Sequence, residues 1–135
     1  DGSNQLADLD QTENNRKIVE DFLYDVMQGH RPEKTASYFA GDTYIQHNTA
    51  IADGLSGLGA ALEAMAKQGI EMIYNKTHQV LAQGSFVLAS EGPFGGAPTS
   101  YYDLWRLEKG KIAEHWDVME TIAAPETWKN QNGKF

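Results

Sequence analysis

The chain has 135 residues, a formal net charge of −8 and no cysteine. It is one domain's length, and a hydrophobic fraction of 41% with 22% charged residues is enough to bury a core. The acidic balance argues against a nucleic acid or anionic membrane partner, the missing cysteines exclude disulfides, thiol nucleophiles and thiolate metal sites, and no apolar run reaches the ~18 residues of a membrane span.

The opening residues 1–13, within "DGSNQLADLDQTENN", are polar and read as a flexible segment ahead of a single domain over 14–135. The compartment stays open between the cytoplasm and export after loss of a leader. In "TENNRKIVEDFLYDVMQGH", Ile18, Val19, Phe22, Leu23, Val26 and Met27 recur at helical spacing, with Thr12 as cap and Gly29 as stop. "RPEKTASYF" follows, with Pro32 suited to a first helical turn. "GDTYIQHNTAIADG" reads as a loop or short strand, and a third helix runs through Leu58, Ala61, Leu62 and Met65 to Gly69.

After Gly69 the period changes from helical to alternating, which predicts strands near 71–82, 85–91, 99–108 and 111–120. "EGPFGGAPTS" reads as a long loop at a pocket mouth. Helices followed by an antiparallel meander spell an α+β domain.

The last hairpin decides which side chains meet. In "LEKGKI", Gly110 suits the left-handed position of a three-residue loop, so Leu107 is expected to face Lys111, Asp103 to face His115 and Tyr101 to face Asp117. Tyr101, Asp103, Trp105, His115 and Asp117 then share one sheet face, and Tyr102, Leu104, Arg106, Ile112, Trp116 and Val118 the other. The first face is too polar for a dry core and too aromatic for a plain surface. Covered by helices it lines a small-molecule pocket; uncovered it is a solvated hairpin face.

"YIQHNTAIADG" (44–54), "LAQGSFVLASE" (81–91) and "YDLWRLEKGKIAEHWDV" (102–118) resemble the SnoaL-like polyketide cyclase branch of the nuclear transport factor 2-like superfamily, from about Asn14 to Val118. The resemblance implies a cone-shaped curved antiparallel sheet wrapped by three N-terminal helices around an apolar cavity. It also implies a homodimer through the outer sheet face, at Tyr102, Leu104 and Trp116. In the cyclases a pocket carboxylate serves as acid and base for an aldol ring closure without metal or cofactor, and Asp117 matches that position. Where those proteins carry Gln and His on the preceding strand, this chain has Tyr101 and Asp103.

These residues support a cofactor-free lyase or isomerase that abstracts a proton beside the carbonyl of a small apolar compound. Asp117 is the candidate base, with Asp103 tuning it by like-charge repulsion. His47, with Asn48 and Tyr101, would hydrogen-bond the developing oxyanion, and Tyr44 and Trp105 would pack on the substrate. His115 either orients Asp103 or is a strand residue satisfied by its partner. Asp117 and His47 also have plain structural readings, as a hydrogen-bond acceptor and a loop-ordering residue, and a non-catalytic ligand-binding domain of the same fold is the alternative function. No HxH, HExxH or GxSxG occurs, so neither a metal nor a Ser–His–Asp triad is expected. An Asp–Arg–Asp set for epoxide hydrolysis is disfavoured, because Arg106 falls on the opposite face from Asp103.

Overall fold

The computed structural model describes residues 1–70, 74–92 and 98–135. Helix α1 (Thr12–Phe22) widens into a π-helical turn over Leu23–Met27, closed by Gln28 N–H donating to the Leu23 carbonyl at 2.8 Å. The turn sends Leu23, Asp25 and Met27 inward together. Asp25 is satisfied there by the Tyr38 hydroxyl at 2.5 Å and the Arg31 guanidinium at 3.0 Å, which anchors the 3₁₀ segment Pro32–Tyr38. The Tyr38 hydrogen bond is the largest influence holding the Asp25 carboxyl below its ordinary range. Strand β1 is only Ile45–Gln46, and α2 spans Gly54–Lys67.

Strands β2 (Lys76–Gln83), β3 (Phe86–Gly92), β4 (Thr99–Glu108) and β5 (Lys111–Thr121) follow, close to the predicted ranges. The start of the first predicted strand and the middle of "EGPFGGAPTS", residues 93–97, lie outside the described residues. The sheet order is β1-β5-β4-β3-β2. The meander β2 to β5 is antiparallel, but β1 runs parallel to β5, so the sheet is mixed rather than wholly antiparallel as expected.

The core lies between the inner sheet face and the helices. Phe22 is its hub, edge-on to Tyr38, Phe39 and Trp105 with ring centroids 5.4, 5.9 and 6.0 Å away. Helix α1 packs against β2 and β3, while α2 stands off the sheet.

Thr12 does not cap α1 as predicted. It is the helix's first residue, and its hydroxyl accepts from Gly84 N–H at 2.9 Å, tying α1 to the β2–β3 turn. The opening segment lies along the sheet: Ser85 N–H donates to the Ala7 carbonyl at 2.8 Å, and Ser3 N–H reaches Glu114 at 3.3 Å.

The β4–β5 hairpin corrects the expected register. Lys109 (φ 51°) and Gly110 (φ 74°) are both left-handed, so the loop has two residues and Glu108 pairs with Lys111. Alone, that loop would put Asp103 and Asp117 on opposite faces. One step further, however, Leu107 pairs with Ile112 while Arg106 pairs with Glu114, so β5 carries an extra residue, Ala113, in a β-bulge. The bulge flips the strand back, and Tyr101, Asp103, Trp105, His115 and Asp117 do share the inner face. Their partners differ from expectation: Asp103 faces Asp117, Trp105 faces His115 and Tyr101 faces Met119. Ile112, expected outside, is 1% exposed in the core, because the bulge lies between it and His115.

Candidate active site

A cavity of about 370 Å³ opens between α2 and the inner sheet face. Its walls are apolar, from Phe22, Met27, Leu58 and Met65 on the helices and Trp105 and Tyr101 on β4. Its polar end is built by Gln46 on β1, Asn48 just after it, Asp103 on β4 and His115 and Asp117 on β5, together with Tyr74. Tyr74 is placed by its own N–H, which donates to the Met27 carbonyl at 2.8 Å at the end of the π turn.

The loop carrying β1 is clamped at the start of α2. Asp42 accepts from Ser56 N–H and hydroxyl, both at 2.7 Å, and so caps the helix from outside it. Gly54 N–H donates to the Tyr44 carbonyl, and Gln46 N–H to the Asp53 carboxylate, both at 2.7 Å. These bonds and the parallel pairing of Gln46 with His115 fix the alternation of the segment. Tyr44, Gln46 and Asn48 face the cavity; Ile45 and His47 face away.

Within the site, Asn48 Nδ2–H donates to Asp117 Oδ2 at 2.7 Å. His115 Nε2 lies 2.8 Å from Asp103 Oδ1, and the Tyr74 hydroxyl is 3.2 Å from Asp103 Oδ2. His115 Nδ1 lies 2.9 Å from Gln46 Oε1, and Gln46 Nε2–H donates to the Tyr44 hydroxyl at 3.0 Å. The imidazole stacks on Trp105 at 5.3 Å and on Tyr44 at 6.3 Å.

Burial raises Asp103 above the ordinary carboxylate range; the His115 hydrogen bond opposes this and the Asp117 charge adds to it. Burial, followed by the charges of Asp103 and Asp117, pushes Tyr101 up to about 12 and Tyr44 higher still. Both phenols therefore stay protonated, as hydrogen-bond donors, at any physiological pH.

Seven of the eight residues expected at the site line the cavity: Tyr44, Asn48, Tyr101, Asp103, Trp105, His115 and Asp117. His47 does not. It stacks on Trp116 across the outer face, centroids 4.6 Å apart, and its Nε2 lies 2.7 Å from Glu114 Oε1. Arg106 Nε–H donates to Glu114 Oε2 at 2.8 Å. Burial works to raise Glu114, but the bonds from His47, Arg106 and Ser3 N–H outweigh it and hold this carboxyl below its usual value. His47 thus serves as a hydrogen-bond partner of a buried carboxylate on the far side of the sheet, where it cannot touch a ligand in the cavity.

Gln46 and Tyr74 are site residues that the sequence reading missed. Period-two alternation in "YIQHN" groups Tyr44, Gln46 and Asn48 and excludes His47, so the signal for Gln46 was present. Tyr74 carries no comparable mark.

Asp103, His115 and Asp117 each bring a donor atom within 4.8 Å of the others, the one such grouping among the described residues. The Asp103–His115 contact has hydrogen-bond length, and Gln46 and Asn48 hold the remaining groups as hydrogen-bond partners. The three groups are tied into a hydrogen-bonded network with Gln46, Asn48 and Tyr74.

The profile of the SnoaL-like domain family matches residues 19–115. The chain belongs to that family. No curated protein sequence matches it. Among solved structures, a protein from Kribbella flavida provisionally classed as a ketosteroid isomerase superposes with a TM-score of 0.66 at 16% identity, over 92% of this chain and 94% of that one. An NTF2-like protein from Burkholderia xenovorans gives 0.59 at 22%, over 82% and 92%. An LEH-like epoxide hydrolase from M. tuberculosis gives 0.58 at 20%, over 82% and 85%. At these identities the likeness establishes the NTF2-like, cystatin-like fold. Among the described residues, no helix of this SnoaL-like domain is long and apolar enough to cross a membrane.

Proposed function

We propose that this SnoaL-like domain is a cofactor-free acid/base lyase or isomerase whose substrate is a small, uncharged, largely apolar carbonyl compound. The observation that carries the reading is the position of Asp117. Its carboxylate, oriented by Asn48, lines an apolar cavity beside a second carboxylate that burial and His115 control. Asp117 is the base that takes the proton beside the carbonyl, and Tyr101 and Asn48 are donors within the same cavity for the oxygen. Tyr44 and Trp105 form the aromatic walls against which the substrate packs.

The charge of the lining narrows the ligand. Among the described residues no Lys or Arg lines the cavity, so a carboxylate or phosphate group would meet two Asp side chains and no counter-charge from them. An Asp–Arg–Asp mechanism on epoxides is also unsupported, since Arg106 is bound to Glu114 on the outer face. The homodimer implied by the resemblance would use that outer face, where Tyr102 and Val118 are exposed, and light scattering of the purified chain tests it.

The alternative, a ligand-binding domain without chemistry, draws on one observation: the Asn48 amide already engages Asp117. The two readings part on proton exchange. An enzyme of this kind replaces hydrogens beside the carbonyl of a bound ketone with solvent deuterium, and a binder does not.

A further inference from the structure

We propose that Asp103 and His115 hold a single proton between them through neutral pH, and that Gln46 enforces this by fixing the imidazole tautomer. The pair then serves as the proton donor that complements Asp117.

The Gln46 side-chain amide is fixed in one orientation. The backbone N–H of Asn48 donates to Gln46 Oε1 at 3.0 Å. A flipped amide would set the NH₂ of Gln46 against that N–H, donor against donor, and would lose its donation to the Tyr44 hydroxyl. So an acceptor oxygen faces His115 Nδ1 at 2.9 Å, and Nδ1 carries a hydrogen. In a neutral ring Nε2 is then a bare lone pair. It lies 2.8 Å from Asp103 Oδ1, which is an acceptor too unless protonated. Two lone pairs at that distance, in a site where Asp103 is 1% and His115 7% exposed, repel one another. One proton between them removes the conflict, on Oδ1 with a neutral ring or on Nε2 with an imidazolium and a carboxylate.

Both arrangements make the pair neutral overall, so Asp103 and His115 together add no net charge beside Asp117. Among the described residues, the titratable groups facing the pair are Tyr44, Tyr74, Tyr101 and Asp117, and no Lys or Arg lines the cavity. Tyr44 and Tyr101 remain neutral, and Asp117 favours retention of the proton.

The proton transfer rests on the acid/base reading above. The C–H bond beside the carbonyl breaks towards Asp117, its electron pair forms the carbon–carbon double bond, and the carbonyl oxygen takes the proton of the pair. The charge passes from Asp117 to the Asp103–His115 pair, and protonation of the pair from solvent or from Asp117 resets it. Gln46 is a positioning residue in this scheme, acting through the imidazole.

The test is the ¹H–¹⁵N spectrum of the four imidazoles in the full chain between pH 5 and 9, with no ligand needed. The expected result is a His115 ring protonated at Nδ1 at every pH, with Nε2 still sharing a proton with Asp103 Oδ1 at pH 8. Gln46→Leu is expected to release the ring to the Nε2–H tautomer, while Gln46→Glu, which keeps an acceptor at Nδ1, retains the wild-type tautomer. A neutral Nε2–H ring in the wild type at pH 8 overturns the proposal, and an unchanged tautomer in Gln46→Leu overturns the role of Gln46. Should either variant fail to fold, the wild-type spectrum alone decides. Asp117→Asn is expected to keep the Nδ1–H signature, so failure of the pair and failure of Asp117 as base are separately visible.

Discussion

Asp103 and Asp117 face each other across the β4–β5 ladder, with carboxylate oxygens within 4.8 Å, although the turn joining their strands would by itself place them on opposite sides of the sheet. The relationship depends on Ala113, the extra residue of the bulge. It joins two carboxylates in one apolar cavity, and their environments differ: Asp103 is 1% exposed and bonded to His115 and Tyr74, while Asp117 is half-buried and bonded to Asn48. Unequal environments are what let two like groups take different proton roles.

The turn itself makes the first prediction. Lys109 adopts a left-handed conformation that costs a side chain with Cβ, and Asn tolerates it better. Lys109→Asn is expected to raise stability by about 0.5–1 kcal/mol without changing the register. Thermal unfolding measures the gain, and unchanged amide shifts for His115 and Asp117 verify the register.

His47 is the second. Because it serves Glu114 and not the cavity, His47→Ala is expected to cost about 1–3 kcal/mol by leaving a buried carboxylate short of a donor. Affinity for an apolar ketone in the cavity should be unaffected. Parallel unfolding and ligand titrations decide it, and lost binding with intact stability would reverse the assignment.

The acid limb of stability is the third. Glu114 and Asp25 are held below their ordinary values of 4.5 and 3.8, so each contributes stability that is present above those values and is lost as pH falls through the lower folded-state value. Glu114→Gln is expected to flatten the fall in Tm below about pH 4.5 relative to the wild type. A Tm series from pH 2 to 7 shows whether it does.

Asp103 carries the opposite sign. Its folded value is raised, so its contribution is complete below the ordinary 3.8 and is lost as pH rises through the folded value. Asp103→Asn, which cannot ionise, is expected to gain on the wild type in Tm as pH rises from 4 to 8. A difference that does not move with pH would mean that the carboxyl is not perturbed.

These residues also mark how far the sequence could be read. The helices and the four long strands were legible because apolar periodicity switches from helical to alternating after Gly69, and the resemblance over 14–118 pointed to the family. The inner-face set Tyr101, Asp103, Trp105, His115 and Asp117 was legible as well, but through a loop of the wrong length. A Lys in left-handed conformation and an Ala in a bulge leave no mark in composition, and their effects on facing cancel. His47 was misplaced because chemistry was weighed ahead of alternation in a strand of two residues, too short to stand out. Tyr74 reaches the site through the π turn of α1, a feature that apolar spacing does not encode.

The central claim is that Asp117 removes a proton from a bound carbonyl compound. The most direct measurement incubates the chain in D₂O with uncharged cyclic ketones sized to a cavity of about 370 Å³ and follows loss of the hydrogens beside the carbonyl by NMR. The account predicts accelerated exchange for a ketone that also raises Tm, and a rate about 100-fold or more lower in Asp117→Asn of unchanged fold. A ketone that binds without exchanging, or exchange undiminished in Asp117→Asn, would contradict it.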